Sequence, residues 1–249
     1  MKTVLITGAS SGYGLETARH FHAQGWNVIA TMRTPRKDVL PESPRMQVLP
    51  LDVTNAASIA AALALCGPID VLVNNAGIGL FGASEATPMA TIREIFETNT
   101  FGVMAMTQAV LPAFRERRTG VIVNVTSSAV LAPMPLVAPY TASKTAIEGY
   151  TASLALELEA FNIRVKLVQP GYGPTTRFTS NAGQRLEGLV TEPYAPLAQR
   201  IFASLSDMPA VTREADVAQA VWQAATDGAS QLRYPAGADA VALAALSAS

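Results

Sequence analysis

The chain of 249 residues carries 18 Lys and Arg against 19 Asp and Glu, giving a formal charge of −1. With an isoelectric point near 6.1, this balance offers no basic field for nucleic acid or an anionic membrane surface, and one cysteine excludes an internal disulfide and fits a reducing, cytoplasmic setting. The mean hydropathy of +0.25 raises the question of a membrane span, yet the most apolar stretch, 56–66, is too short for one, and no signal peptide is expected ahead of the first apolar run.

Short β-branched or aliphatic runs alternate with helical patterns from end to end. The runs are Thr3–Thr7, Asn27–Thr31, Met46–Pro50, Val71–Asn74, Val121–Thr126, Arg164–Gln169 and, more weakly, Gln231–Tyr234. Gly14–Gln24, Met89–Arg117, Thr141–Phe161 and Arg213–Thr226 carry apolar residues at helical spacing. Strands that are nearly continuously apolar, each followed by a helix, predict an α/β fold: one Rossmann-type, doubly wound parallel sheet of about seven strands with helices on both faces. No linker, charge block or repeat divides residues 1–249, which are expected to form a single domain. The irregular stretch within 172–205 follows a strand at the ligand-binding edge and is expected to be a substrate lid, the alternative being a surface excursion.

Directly after the first run comes Thr7-Gly8-Ala9-Ser10-Ser11-Gly12-Tyr13-Gly14. Glycines here permit a tight turn and close backbone approach to a pyrophosphate, while the opening helix presents unpaired N–H groups. Gly8 and Gly14 are candidate cofactor contacts, with Ser10 and Ser11 as hydroxyl donors. Tyr13 either lines the cofactor site or packs on a neighbouring helix. After the second run, where an NAD-preferring fold places an acid, this chain has Met32 and Arg33, with Arg36 and Lys37 following. A guanidinium suits a 2′-phosphate, so NADP(H) is favoured over NAD(H); the alternative is a solvated Arg33 in a protein that takes both.

Tyr140 and Lys144 lie four residues apart, on one helix face. A phenol near pKa 10 works at neutral pH only if its phenolate gains about 4 kcal/mol of preferential stabilisation, which a nearby ammonium and an oxidised nicotinamide favour. Ser127, at the carboxyl end of the fifth run, points into the expected crevice, and Ser128 competes with it.

These residues together resemble the short-chain dehydrogenase/reductase family. The resemblance runs from the first strand to at least Thr175: Thr7–Gly14 is similar to the family's TGxxxGxG turn, Asn74-Asn75-Ala76-Gly77 to its NNAG motif, Tyr140 and Lys144 to YxxxK with Ser127 ahead of them, and Pro170-Gly171 to the start of PGxVxT. It implies that Tyr140 exchanges a proton with a carbonyl or alcohol oxygen, that Lys144 lowers the phenol's pKa and holds the nicotinamide ribose, and that Ser127 orients the substrate oxygen. Asn99 is implied to anchor a water linking Lys144 to solvent. Asp52 and Val53 resemble the adenine-contacting pair, Asn75, Ala76 and Gly77 the backbone beside ribose and adenine, and Thr175 a cofactor-bonding threonine. Gly173 stands where the family has Val, and Tyr13 where Ile or Leu is common. The reaction needs no metal. The family also implies a homodimer or homotetramer paired through 89–117 and 141–161.

Ile78 or Leu80, Val130, Met134, Tyr172 and Phe178 are expected to face the substrate, predicting a small apolar ketone, aldehyde or secondary alcohol. The weak C-terminal similarity of Arg233-Tyr234-Pro235-Ala236-Gly237 to members acting on retinoids and steroids points the same way. A non-catalytic NADP(H)-binding sensor is the alternative function. His20 and His22, two apart on a helix, are expected at the solvated surface rather than on a metal. Cys66 is expected to be a packing thiol, Glu157 and Glu159 surface charge, and Met104 and Met106 core or interface.

Overall fold

The structure, a computed structural model, describes residues 1–176 and 188–247. Its strands are β1 (Thr3–Thr7), β2 (Asn27–Met32), β3 (Met46–Pro50), β4 (Val71–Asn74), β5 (Gly120–Val125), β6 (Ile163–Pro170) and β7 (Arg233–Ala236). They form one sheet in the order β3-β2-β1-β4-β5-β6-β7, parallel throughout. This is the doubly wound Rossmann-type arrangement. Its strand order reverses at β1 and β4, where a crevice opens beyond the carboxyl ends.

Eight α-helices lie among the described residues: α1 (Gly12–Ala23), α2 (Ala56–Ala64), α3 (Met89–Phe96), α4 (Gly102–Arg117), α5 (Ala138–Glu159), α6 (Ala195–Ser206), α7 (Glu214–Thr226) and α8 (Ala238–Ser247). The pleat sorts the core between the two faces. Val4, Ile6, Val121 and Val123 pack with Phe21, Trp26 and Val221, whereas Leu5 and Ile122 pack with Phe114, Met106 and Leu154 on the opposite face. Every residue of β4 and β5 is buried, which is why these runs read as continuously apolar.

Most boundaries shift by a residue or two from the sequence reading, and three of the differences have a physical reason. The helical pattern Met89–Arg117 is broken by a wide π-turn, Glu97–Phe101. There Asn99 and Thr100 are both buried and turn toward α5. The last strand lies two residues further on than Gln231–Tyr234 and contains Pro235, tolerated because β7 is bonded only to β6. Helix α5 begins at Ala138 rather than Thr141, with Pro139 in its first turn, where the missing N–H has no partner to lose.

Candidate active site

A cavity of about 1160 Å³ runs along the carboxyl edge of the sheet. At one end it is floored by the turn between β1 and α1. Gly8 has φ +71°, and a side chain there would meet the Ala76 Cα at 2.8 Å. A Cβ on Gly14 would fall 2.3 Å from Asn75 Nδ2 and 2.4 Å from the Gly8 carbonyl oxygen. The close approach is stitched in place: Asn75 and Ala76 each donate a backbone N–H to Thr7 Oγ1 at 3.0 Å, and Asn75 Nδ2 donates to the carbonyls of Thr7 and Gly8. Ser11 begins α1 without capping it by its side chain. The first amides of the helix therefore face the cavity beside Ser10, Ser11 and Gly12, an arrangement that fits a diphosphate.

Beyond β2 and β3, Met32, Arg33, Asp52 and Val53 line the same cavity. Arg33 is exposed and Val53 buried. Hydrogen bonds from the Thr54 N–H and hydroxyl, assisted by the Arg33 charge, hold the Asp52 carboxyl below its usual range.

The catalytic candidates converge past β4 and β5. Tyr140, 7% exposed, is hydrogen-bonded to Ser127, so the structure pairs Ser127 rather than Ser128 with the phenol. Ser127 Oγ also accepts the Ala129 N–H. Burial pushes the Tyr140 phenol up to about 12, with the Ser127 bond pulling the other way. Lys144, 5% exposed, donates to the Val125 carbonyl at 3.0 Å, and burial lowers its ammonium to about 8. The phenol near 7 anticipated from the Tyr–Lys spacing is thus not a property of the chain alone: desolvation outweighs the hydrogen bond unless further positive charge stands beside it. Asn99 is fully buried. Its Oδ1 accepts the Ile78 N–H at 2.8 Å, and its Nδ2 donates to the Ile78 carbonyl and Ser143 Oγ. Gly77 lies beside both groups, since a Cβ there would sit 3.3 Å from Asn99 Oδ1 and 3.4 Å from Lys144 Nζ.

Behind Ser127 and Pro170 lies a polar hub that sequence reasoning missed. The buried Glu148 carboxylate accepts from Thr126 Oγ1, Gln169 Nε2 and Arg233 Nε, joining α5 to β5, β6 and β7. Glu148 follows Lys144 by one helical turn, and that spacing was the available signal.

The loop after β6 corrects one assignment. Pro170, Gly171, Tyr172 and Gly173 line the cavity, but Thr175 does not: it is exposed and donates to Glu214 Oε1 at 2.9 Å. Thr176 lines the cavity instead, with its hydroxyl on the Gly173 carbonyl. Tyr13 satisfies both alternatives, lining the cavity and packing against the α1 core. Its hydroxyl lies where residue 173 would carry a side chain, 2.1 Å from a Cβ built there. The two departures from the family pattern are therefore one, since the large residue at 13 occupies the space left by the small one at 173. Burial, then the neighbouring Tyr140 and the charges of Glu214, Asp239 and Asp216, raises the Tyr13 pKa well above its ordinary value and keeps the phenol neutral.

At the far end the lining is apolar. Ile78, Leu80, Met134 and Tyr172 are there as expected, joined by Phe81, Val137, Phe202, Leu205, Met208 and Leu243. Val130 is not: the 3₁₀ turn Ser128–Val130 presents Ser128 and Ala129 to the cavity and turns Val130 away. Phe178 lies outside the described residues. The C-terminal contributors carried no local motif that could have announced them. Elsewhere, His20 is half-buried against Trp222, the rings tilted at 59° with centroids 5.6 Å apart, and burial lowers its pKa. Burial pushes the Cys66 thiol up to about 11. Among the described residues no group of His, Cys, Asp and Glu is arranged to hold a metal, and no helix is long and apolar enough to cross a membrane.

Anion-seeking amides at one end of a crevice and a buried phenol at the other define the dinucleotide-binding α/β class. Within it, the family described as short chain dehydrogenase matches residues 2–186, and the chain belongs to that oxidoreductase family. It is 42% identical over 182 residues to 3-ketodihydrosphingosine reductase of Bacteroides thetaiotaomicron, covering 72% of this chain and 66% of that protein. It is 37% identical over 243 residues to human retinol dehydrogenase 8, covering 88% and 76%. Among solved structures, a serine dehydrogenase complexed with NADP+ superposes with a TM-score of 0.79 at 30% identity, over 94% of each chain.

Proposed function

We propose that this protein is an NADP(H)-dependent dehydrogenase/reductase acting on an apolar ketone or aldehyde, or the matching secondary alcohol, within one cytoplasmic domain. The observation that carries the reading is the convergence of Ser127 with the buried Tyr140 and Lys144 on the cavity that the glycine cradle floors. The bound nicotinamide supplies or accepts the hydride, and the protein supplies position and the proton.

In reduction, the substrate carbonyl lies against Tyr140 and Ser127. The carbonyl oxygen takes the Tyr140 proton while accepting a bond from Ser127. At neutral pH the phenol is protonated and the Lys144 ammonium charged, the state from which reduction starts. The ammonium then stabilises the phenolate left behind. Asn99 acts by fixing Ile78 and thereby the loop that passes Lys144. Gly8, Ser10, Ser11, Tyr13 and Gly14 would hold the diphosphate side of the cofactor, and Asp52, Val53, Asn75, Ala76 and Gly77 the adenosine side. Pro170, Gly171 and Thr176, in place of Thr175, would hold the nicotinamide side. The exposed Arg33 guanidinium at the cavity rim supports NADP(H) through a 2′-phosphate.

The apolar lining at Phe81, Phe202, Leu205 and Met134 supports the substrate class, as do the names of two relatives, a ketodihydrosphingosine reductase and a retinol dehydrogenase. We read the described residues of 172–205, namely 172–176 and 188–205, the latter carrying Phe202 and Leu205, as belonging to a substrate lid. The exposed Phe101 and Leu156, 52% and 76% accessible beside α4 and on α5, suit pairing with a second copy.

The test follows nicotinamide absorbance with NADPH and NADH against apolar ketones and aldehydes of graded chain length. Turnover that falls about a thousandfold in Tyr140→Phe, with dinucleotide affinity retained, is the expected result. Tight NADPH binding without turnover on a broad panel would replace this reading with that of a sensor.

A further inference from the structure

Beyond the residues matched by the family, a buried carboxylate lines the cavity with no role in the chemistry so far described. Asp239, 8% exposed, lies in the first turn of α8. Its Oδ2 accepts the Tyr172 N–H at 2.6 Å and its Oδ1 accepts the Thr212 hydroxyl at 2.6 Å. Thr212 closes the ring by donating its own N–H to the Tyr172 carbonyl at 2.8 Å. Gly171 adds a third tie, donating to the Ala236 carbonyl at 3.1 Å. The clamp sits in a socket of small residues: a Cβ on Gly171 would fall 2.1 Å from Asp239 Oδ2, and one on Gly237 would fall 1.9 Å from Thr212 Oγ1.

What the clamp grips is set by the sheet order. Arg33 and Asp52 lie beyond β2 and β3, whereas Tyr140 and the 170–173 loop lie at the β5–β6 end. A dinucleotide stretched along this edge, with its reacting ring at Tyr140, presents that ring to Gly171–Gly173. A charged acceptor of two hydrogen bonds in a buried setting fixes a loop more firmly than a neutral one.

We propose that Asp239 is a positioning residue that holds the 170–173 loop against the nicotinamide half of the dinucleotide, so that the C-terminal segment completes the cofactor site. The assignment rests on the dinucleotide reading above. It concerns one half of the ligand only, and that makes it separable from a general structural role.

The experiment measures dissociation constants of NADPH and of ADP-ribose 2′-phosphate, which lacks the nicotinamide, for wild type, Asp239→Asn and Thr212→Val. Asp239→Asn keeps the size but removes the charge: the Tyr172 N–H is left with a neutral acceptor, and the Thr212 hydroxyl turns to the Ala236 carbonyl, 3.0 Å away. The expected result is an affinity for NADPH weakened about tenfold, one buried charged hydrogen bond, with ADP-ribose 2′-phosphate binding unchanged. Thr212→Val, which leaves the Tyr172 bond intact, shows the same selective loss to a smaller degree and reads the effect if Asp239→Asn does not fold. Equal weakening of both ligands, or of neither, overturns the positioning role. Wild-type protein that binds neither ligand overturns the dinucleotide reading itself, a distinct outcome.

Discussion

The two ends of the cavity use glycine for different physical reasons. In the cradle, a Cβ on Gly8 would strike the backbone of Ala76, and one on Gly14 would strike the Gly8 carbonyl as well as Asn75. At the end beside Tyr140, a Cβ on Gly171 would strike the Asp239 carboxylate, and one on Gly173 the Tyr13 hydroxyl. The first site is shaped by main chain meeting main chain on neighbouring strands. The second is shaped by side chains arriving from distant parts of the sequence. Main chain in a packed sheet has nowhere to retreat, whereas a side chain can be exchanged for a smaller one.

That contrast is broken or sharpened by four measurements. The largest effect is expected for Gly14→Ala, which should lower the unfolding free energy by about 3 kcal/mol and abolish dinucleotide binding. Adding Asn75→Ala should not restore it, because the Gly8 carbonyl stays. Restoration in urea denaturation would show that the cradle, too, is shaped by a side chain. Gly173→Ala is expected to cost about 2 kcal/mol and to be relieved by Tyr13→Leu, a strongly non-additive pair. Additive losses would mean that the two residues do not share one space.

The third measurement concerns charge. In the cofactor-free fold the Lys144 ammonium is held at about 8 against an ordinary 10.5. Below pH 8 both folded and unfolded chains carry the proton, so the fold bears the full burial cost. Between pH 8 and 10 the folded protein releases it while the unfolded chain keeps it, so stability rises with pH. Relative to Lys144→Met, wild type should gain about 2 kcal/mol across that window. Parallel pH profiles for the two proteins would show that the ammonium is not desolvated. Tyr140, held at about 12 against an ordinary 10.0, works in the opposite direction only above pH 10. The smallest effect is expected at the exposed rim of the cradle end. Arg33→Ala should reduce the preference for NADPH over NADH about tenfold, a loss of roughly 1.4 kcal/mol. An unchanged ratio of dissociation constants would remove Arg33 from cofactor selection.

Much of the cradle is legible in the amino-acid sequence alone. Its turn, its helix start and the Asn75–Gly77 segment lie beside strands whose apolar runs are unmistakable, and their chemistry depends on residue type at short spacing. Ser127, Tyr140 and Lys144 are legible for the same reason, one at a strand end and two on a single helix face. Thr175 was misplaced because a motif position does not say which of two adjacent threonines faces inward. Only the bonds to Glu214 and Gly173 decide that. Val130 failed likewise, since a 3₁₀ turn set its direction.

The sequence by itself determined the sheet, its parallel order of strand and helix, the glycine cradle and the Tyr–Lys pair, because each follows from local periodicity or backbone sterics. Tertiary structure alone decided that Tyr13 fills the place of a side chain at 173, that Glu148 ties three strands together behind the serine, and that Asp239, Phe202 and Leu243 reach the cavity. These contacts join segments far apart in the chain. Their geometry depends on how whole helices dock on the sheet, and no local pattern encodes where a docked helix will place one carboxylate.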